Sequence, residues 1–532
     1  MRRVLEYFRR TIRRHKISKM SAVSRDAPIG VQCLQKLSGI FCPRFQTNRL
    51  LLYQVTVLAL TYFTYMTYHL TRKPISVVKS VLHRNCSELP PPPDVGPGDD
   101  QWCNWPPFNT TDANTLLGTL DSAFLFSYAG AMFVSGMVAE RVDLRYFLSL
   151  GMLFSAAFCY LFGVAKTYDI HHISYYLLVQ AGAGIAQTTG WPGTVAIVGK
   201  WFGHTKKGLI FGIWNSHTSL GNILGTLMAA AFVEKDWALS FIYPAAVMAA
   251  VGFVVFLFLP PEPRCVGVVL PSAGEREYRP SRSDDEEDAT EVIVGDQPSE
   301  LTALLAPRGA SSAISLSRAV AIPGVMEFSL SLFFAKLVSY TFLYWLPLYI
   351  NTSTHLTPKQ SGDLSTVFDI GGIAGAIAAG LVADCTGCPG IVCVAFYTAS
   401  APFLLAYQRW GAASYWLNVT LLALTGALVN APYSLITTAV STELGTHSSL
   451  AGNSQALATV TAIIDGTGSV GAAIGPMLAG VVSSSGTWSH VFYMLISCNL
   501  MALLLLLRVV KHEIAKLRQE RRSTSPRVVR IE

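Results

Sequence analysis

Charge is scarce in this sequence: 14% of its 532 residues are Asp, Glu, Lys or Arg, against 51% hydrophobic, and mean hydropathy is +0.40. So little charge excludes an ordinary soluble domain, which needs a more polar surface. Metal-ligand clusters are also missing. The pair Cys385-Thr-Gly-Cys388 has no second pair and no nearby histidine, which argues against a zinc site. Neither a nucleophile elbow nor a phosphate-cradling glycine loop is present, so an enzyme of lipid or sugar phosphates is not expected, and no cofactor is implied. Residues 1–49 are basic but have no adjoining apolar region of signal-peptide length. The net charge of +7 is concentrated in tails and short loops, which is not a nucleic-acid pattern.

Long apolar runs are abundant. The first spans Leu50 to Leu70, and others lie near 116–138, 146–165, 174–198, 208–232 and 238–260. Six more lie near 325–350, 362–383, 389–407, 412–440, 452–480 and 488–508. Each is long enough to cross a bilayer core. The expected fold is therefore an all-α membrane protein of twelve transmembrane helices in two six-helix bundles, at 50–260 and 320–508. A polar, proline-rich loop is expected over 76–114, a disordered linker with the acidic run Ser283 to Glu291 over 261–319, and basic tails at 1–49 and 509–532.

Charge and glycosylation signals agree on orientation. With both termini in the cytosol, the N-terminal arginines, Glu140 to Arg145, Lys200 to Lys207 and the C-terminal tail obey the positive-inside rule. The same choice puts the acceptors Asn85, Asn109 and Asn351 on the other side, along with Cys86 and Cys103, which can form a disulfide there. Asn418 lies within a span and reads as a chance match.

The chemistry centres on the end of the first run. At 100° per residue Tyr62, Tyr65, His69 and Ser76 share one stripe, and Arg72 and Lys73 straddle it. Two adjacent cations in a membrane helix cost roughly 2.5–3.5 kcal/mol each at its centre, so they face water, an anion or a partner charge. Reaching to the interface from a helix end is the plain alternative. Four further ionisable residues stand inside spans: Asp121, Lys336, Asp369 and Asp465. Lys336 is far from either helix end, and its alternatives are an anion or an internal pair with Asp369 or Asp465. Gly190-Trp-Pro192 and the small residues from Gly466 to Pro476 read as packing and hinge elements, with substrate contact by Trp191 as the other reading.

An internal repeat links the two bundles. Gly136-Met-Val-Ala-Glu140 closes the second span and Gly380-Leu-Val-Ala-Asp384 closes the eighth. The first copy continues through Arg141 to Arg145, giving a pattern that resembles the loop signature of the major facilitator superfamily; the second lacks those arginines. A gating ion pair is expected among Glu140, Arg141, Arg145 and Asp384. By the repeat, the seventh span is the partner of the first, so cations on Arg72 and Lys336 are expected to converge from opposite halves.

Further motifs narrow the resemblance. Thr71 to Lys79, Gln187 to Pro192, Gly212 to Gly225, Phe334 to Phe342 and Ile464 to Gly471 resemble the animal solute carrier 37 sugar-phosphate exchangers, across all twelve spans. The resemblance implies antiport of a sugar phosphate, glucose 6-phosphate above all, for inorganic phosphate by alternating access in the endoplasmic reticulum membrane. The buried charges then place a divalent phosphate near Arg72, Lys73 and Lys336, where Tyr62, Tyr65 and His69 can hydrogen-bond or stack on the sugar, and Tyr340 and Trp191 are further candidate substrate contacts. The related bacterial organophosphate:phosphate antiporters match at Arg72. Their other phosphate-binding positions fall near Ser339, Met132 and Lys200, which differ in residue type. The competing reading is a proton-coupled or facilitative carrier of another solute, titrating Asp369, Asp465 or His69. Glu300 to Leu305 fits an acidic dileucine pattern, which would route the protein to endosomes or lysosomes.

Overall fold

A computed structural model describes residues 27–41, 48–84, 86, 102–139, 141–202, 214, 216–268, 319–441, 444, 454–485 and 487–524. The N-terminal arginines, Asn85, Glu140, the acidic run and the dileucine pattern lie outside them. Nine helical segments among the described residues are long and apolar enough to cross a membrane. The second, fourth and fifth expected spans are also helical, so each apolar run corresponds to helix.

Helix α1 (Ile29–Phe41) precedes the first span, which is α2 (Arg49–Arg72) followed by α3 (Pro74–Leu82). Asn48 caps α2 by accepting from the Leu51 amide at 3.3 Å. The chain breaks at Lys73 and resumes helix with Pro74 at its start, where a missing N–H does no harm. The loop expected from residue 76 therefore begins only after Leu82. The Arg-Lys-Pro sequence bends the span in mid-course instead of ending it.

The first half continues with α4 (Ala113–Ala139), α5 (Leu144–Thr167), α6 (Ile173–Gln187) and α7 (Gly190–Phe202), then α8 (His217–Phe232) and α9 (Leu239–Phe258). Helices α6 and α7 form one span, broken ahead of Pro192. Residues 261–268, expected in the disordered linker, instead hold a short 3-10 turn with Val266 buried. The second half comprises α10 (Val325–Ser353), α11 (Pro358–Thr386), α12 (Pro389–Trp410), α13 (Tyr415–Leu435) running into a π turn, α14 (Ser454–Ser485) and α15 (Trp488–Thr524). The last helix outruns the expected end at 508 by several turns, because charged residues continue it once it leaves the apolar layer.

Pairing repeats between the halves. Helix α2 packs on α8, α4 on α6 and α5 on α9; correspondingly α10 packs on α14, α11 on α13 and α12 on α15. Close approach depends on glycine: a Cβ on Gly371 or Gly375 would lie 2.0 Å from the Ala423 or Ala427 carbonyl oxygen.

The halves meet through α4 with α14, α8 with α11 and α3 with α10. Their described contacts gather at the end of the first loop. Thr115 and Ser484 hydroxyls lie 2.9 Å apart, Ser122 donates to the Ala473 carbonyl at 3.0 Å, and Glu234 accepts the Lys359 amide at 3.0 Å. Towards the other end of α4 and α14, the space about Gly130, Gly136 and Gly466 is open. Among the described residues, the bundle is shut at the loop end and open at the end that carries the termini.

Candidate functional site at the bundle centre

Arg72 occupies the last turn of α2, inside a span of 34 residues that ends at Leu82. Ten further residues of helix, about 15 Å at 1.5 Å each, separate it from that end. A side chain so placed does not reach the interface, and Arg72 is 7% exposed. Its Nε donates to Gln187 Oε1 at 2.6 Å, while Gln187 Nε2 donates to Thr71 Oγ1 at 3.1 Å. The guanidinium carbon lies 4.9 Å from the Tyr128 ring centroid and 5.7 Å from that of Phe124. Nη2 is buried with no hydrogen-bond partner. A buried donor of a charged group left unpaired is costly, so this atom is poised for an acceptor that the chain does not provide.

Lys336 approaches from the other half. It donates to Asp465 Oδ1 at 2.7 Å, and the side chains are 6% and 43% exposed. Of the two acids that sequence offered as its partner, the geometry selects Asp465. The carboxylate is the more exposed member of the pair. Tyr128 and Tyr340 are close enough to interact electrostatically with both Arg72 and Lys336.

Lys73 is engaged across the halves. Its Nζ lies 3.6 Å from Asp369 Oδ2 and donates to the Leu343 carbonyl at 3.3 Å. Asp369 Oδ1 also accepts from Asn222 Nδ2 at 3.4 Å, and Asn222 Oδ1 faces His69 Nδ1 at 3.2 Å. Tyr65 packs in an aromatic group with His69 and Trp191 at 5.2 Å and His217 at 4.8 Å. Tyr62 sits at its edge, its hydroxyl 3.0 Å from Ser216 Oγ. Tyr340 is partly buried and 6.5 Å from Tyr344.

Several expected residues stand apart. Asp121 is fully buried against Lys79. Lys200 pairs with Glu262 at the surface, both 43% exposed. Arg141 and Asp384 are exposed, and Arg145 lies over the Tyr146 ring at 4.7 Å; no ion pair joins these three among the described residues. Asn109 is exposed, whereas Asn351 sits in the last turn of α10 with its amide donating to the Leu356 carbonyl at 2.9 Å. Cys86 and Cys103 form a disulfide.

Sequence reasoning gave no individual role to Gln187, Tyr128, Asn222, His217 or Lys79, although all but Tyr128 fall within the motifs quoted above. The first four are neutral polar residues inside apolar runs, where hydropathy hides them. Lys79 carried a visible signal: it lies seven residues beyond Arg72 in a stretch otherwise rich in valine.

Residues 102–462 and 328–531 match the Major Facilitator Superfamily. The chain is 52% identical over 464 residues to a Danio rerio protein named glucose-6-phosphate exchanger SLC37A2, covering 87% of this chain and 93% of that one. The Homo sapiens proteins named glucose-6-phosphate exchanger SLC37A2 and SLC37A1 are 50% and 43% identical, covering 86% and 87% of this chain and 92% and 94% of theirs. Among solved structures, a D-xylose-proton symporter superposes with TM-score 0.58 at 11% identity, covering 86% of this chain and 98% of that one. An inward-facing, occupied bacterial homologue of the lysosomal transporter Spinster does so with TM-score 0.56 at 14% identity, covering 88% and 97%.

Proposed function

Because the chain belongs to the major facilitator superfamily, we propose that its central cavity exchanges a sugar phosphate of the glucose 6-phosphate kind for inorganic phosphate by alternating access. One combination carries the reading: Arg72 Nη2 in one half is buried and unpaired, Lys336 with Asp465 stands in the other, and Tyr128 and Tyr340 interact with both cations. A divalent phosphate satisfies both with charge-assisted hydrogen bonds. Tyr65, His69 and Trp191 then lie beside the phosphate where a sugar ring can stack or accept hydrogen bonds. A bound dianion bridges the Arg72 and Lys336 cations and so favours closure at the open end. Exchange follows without a proton.

The exposed Asn109 and the Cys86–Cys103 disulfide support placing the first loop in an oxidising lumen and both termini in the cytosol. The proposed home is the endoplasmic reticulum membrane, and the open end then faces the cytosol.

Counterflow in proteoliposomes tests the function. Phosphate-loaded vesicles are expected to take up glucose 6-phosphate saturably, and phosphate-free vesicles are not. Uptake driven by a pH gradient with no internal phosphate would instead establish the proton-coupled reading.

Gln187 has a supporting part. By accepting from Nε it turns the Nη edge of Arg72 towards the cavity. Gln187→Leu is expected to raise the KM for phosphate about tenfold with little change in maximal rate, since one hydrogen bond to a charged group is lost. An unchanged KM contradicts that role.

A further inference from the structure

Lys79 is the largest charged side chain with no exposed surface at all, and transport as described above makes no use of it. Its Nζ is paired with Asp121, lies 3.9 Å from the Trp345 ring centroid and donates to the Tyr344 carbonyl at 3.1 Å. Six residues earlier, Lys73 donates to the Leu343 carbonyl at 3.3 Å. Both lysines belong to the bent first span. Both acceptors are consecutive backbone carbonyls of the seventh.

The reason the Leu343 carbonyl needs a donor lies four residues on. Pro347 stands inside α10 and has no N–H, so the Leu343 carbonyl lacks its usual helical partner. A free carbonyl within the apolar layer costs several kcal/mol on general grounds. At this bend the missing donor comes from the other half of the molecule. The acids hold the lysines in place: Asp121 belongs to the same half as Lys79, and Asp369 to the half opposite Lys73.

We propose that Lys73 and Lys79 are positioning residues that latch the loop-side end of the transport path by donating to consecutive carbonyls of α10, Lys73 to the one that Pro347 deprives of its helical N–H and Lys79 to its neighbour. When the halves part at the loop end, both lysines leave α10 and water must take over the Leu343 carbonyl and Asp369. The latch therefore weights the molecule towards the conformation described here. Because Tyr340 and Tyr344 sit on the same helix, it also sets where their phenols stand relative to Arg72. The device concerns which end is closed, and it operates whatever solute is carried.

Thr115 and Ser484 report on it directly, because their hydroxyls meet at 2.9 Å across the closed end. In the full-length chain carrying Thr115→Cys and Ser484→Cys, the rate of disulfide formation under mild oxidant follows the population closed at the loop end. Pro347→Ala restores the helical N–H to Leu343, removes the need for the Lys73 cap and is compatible with the fold. Lys79→Gln with Asp121→Asn deletes one cap without leaving a lone buried charge. Each change is expected to slow cross-linking about tenfold, with an unaltered monodisperse elution profile, in keeping with the loss of one or two hydrogen bonds to charged groups. A rate unchanged in either folded variant overturns the latch. The readout needs no substrate, so its failure is distinguishable from failure of the phosphate-exchange reading.

Discussion

Arg72→Ala is expected to lower phosphate counterflow by about 100-fold or more while the protein still folds and elutes as wild type. The asymmetry between function and folding follows from the surroundings of the side chain. No carboxylate is paired with Arg72 among the described residues, so its removal strands no opposite charge. Gln187 keeps its bond to Thr71, and the Tyr128 ring loses a stacked neighbour. The substrate, by contrast, loses the group that turns a planar fork towards it. Arg72→Lys restores charge without that fork and is expected to recover only part of the rate. Initial rates in proteoliposomes, set against the elution profile of the same preparation, check both halves of the claim; full exchange in the alanine variant would remove the mechanism.

The second large effect is expected at Lys336. Lys336→Gln removes the cation of the second half and leaves the Asp465 carboxylate, 43% exposed, facing the phosphate. Lost attraction and new repulsion act in the same direction. Phosphate affinity is expected to fall about 30-fold, as for truncation of one partner in a desolvated charged contact. Because Asp465 is open to the cavity, it can hydrate and the fold survives. Adding Asp465→Asn to Lys336→Gln removes the repulsion and is expected to return part of the affinity. Competition of inorganic phosphate with labelled sugar phosphate measures it, and equal affinity in the single and double variants would show that Asp465 does not face the substrate.

Much of this arrangement was legible before the structure. The twelve apolar runs, the two copies of the small-small-acid motif and the isolated Lys336 follow from hydropathy and the cost of charge in lipid. The course of the first span did not. Arg72-Lys-Pro74 has the composition of a helix end, and a local reading cannot know that Asp121, on another span, neutralises Lys79 and lets the helix continue into the bundle. Pairing among the buried acids was equally hidden. Sequence offered Asp369 and Asp465 to Lys336 alike; only the packing of α11 across from α8 gives Asp369 to Lys73. Gln187 and Tyr128 escaped because a neutral polar residue in an apolar helix carries no signal until its partner is known.

The most direct measurement is a structure of the full chain with glucose 6-phosphate bound. The account predicts phosphate oxygens within about 3 Å of both Arg72 Nη2 and Lys336 Nζ, the ordinary distance for a charge-assisted bond. A phosphate gripped by one bundle alone, with the other cation still turned to its protein partner, would contradict it.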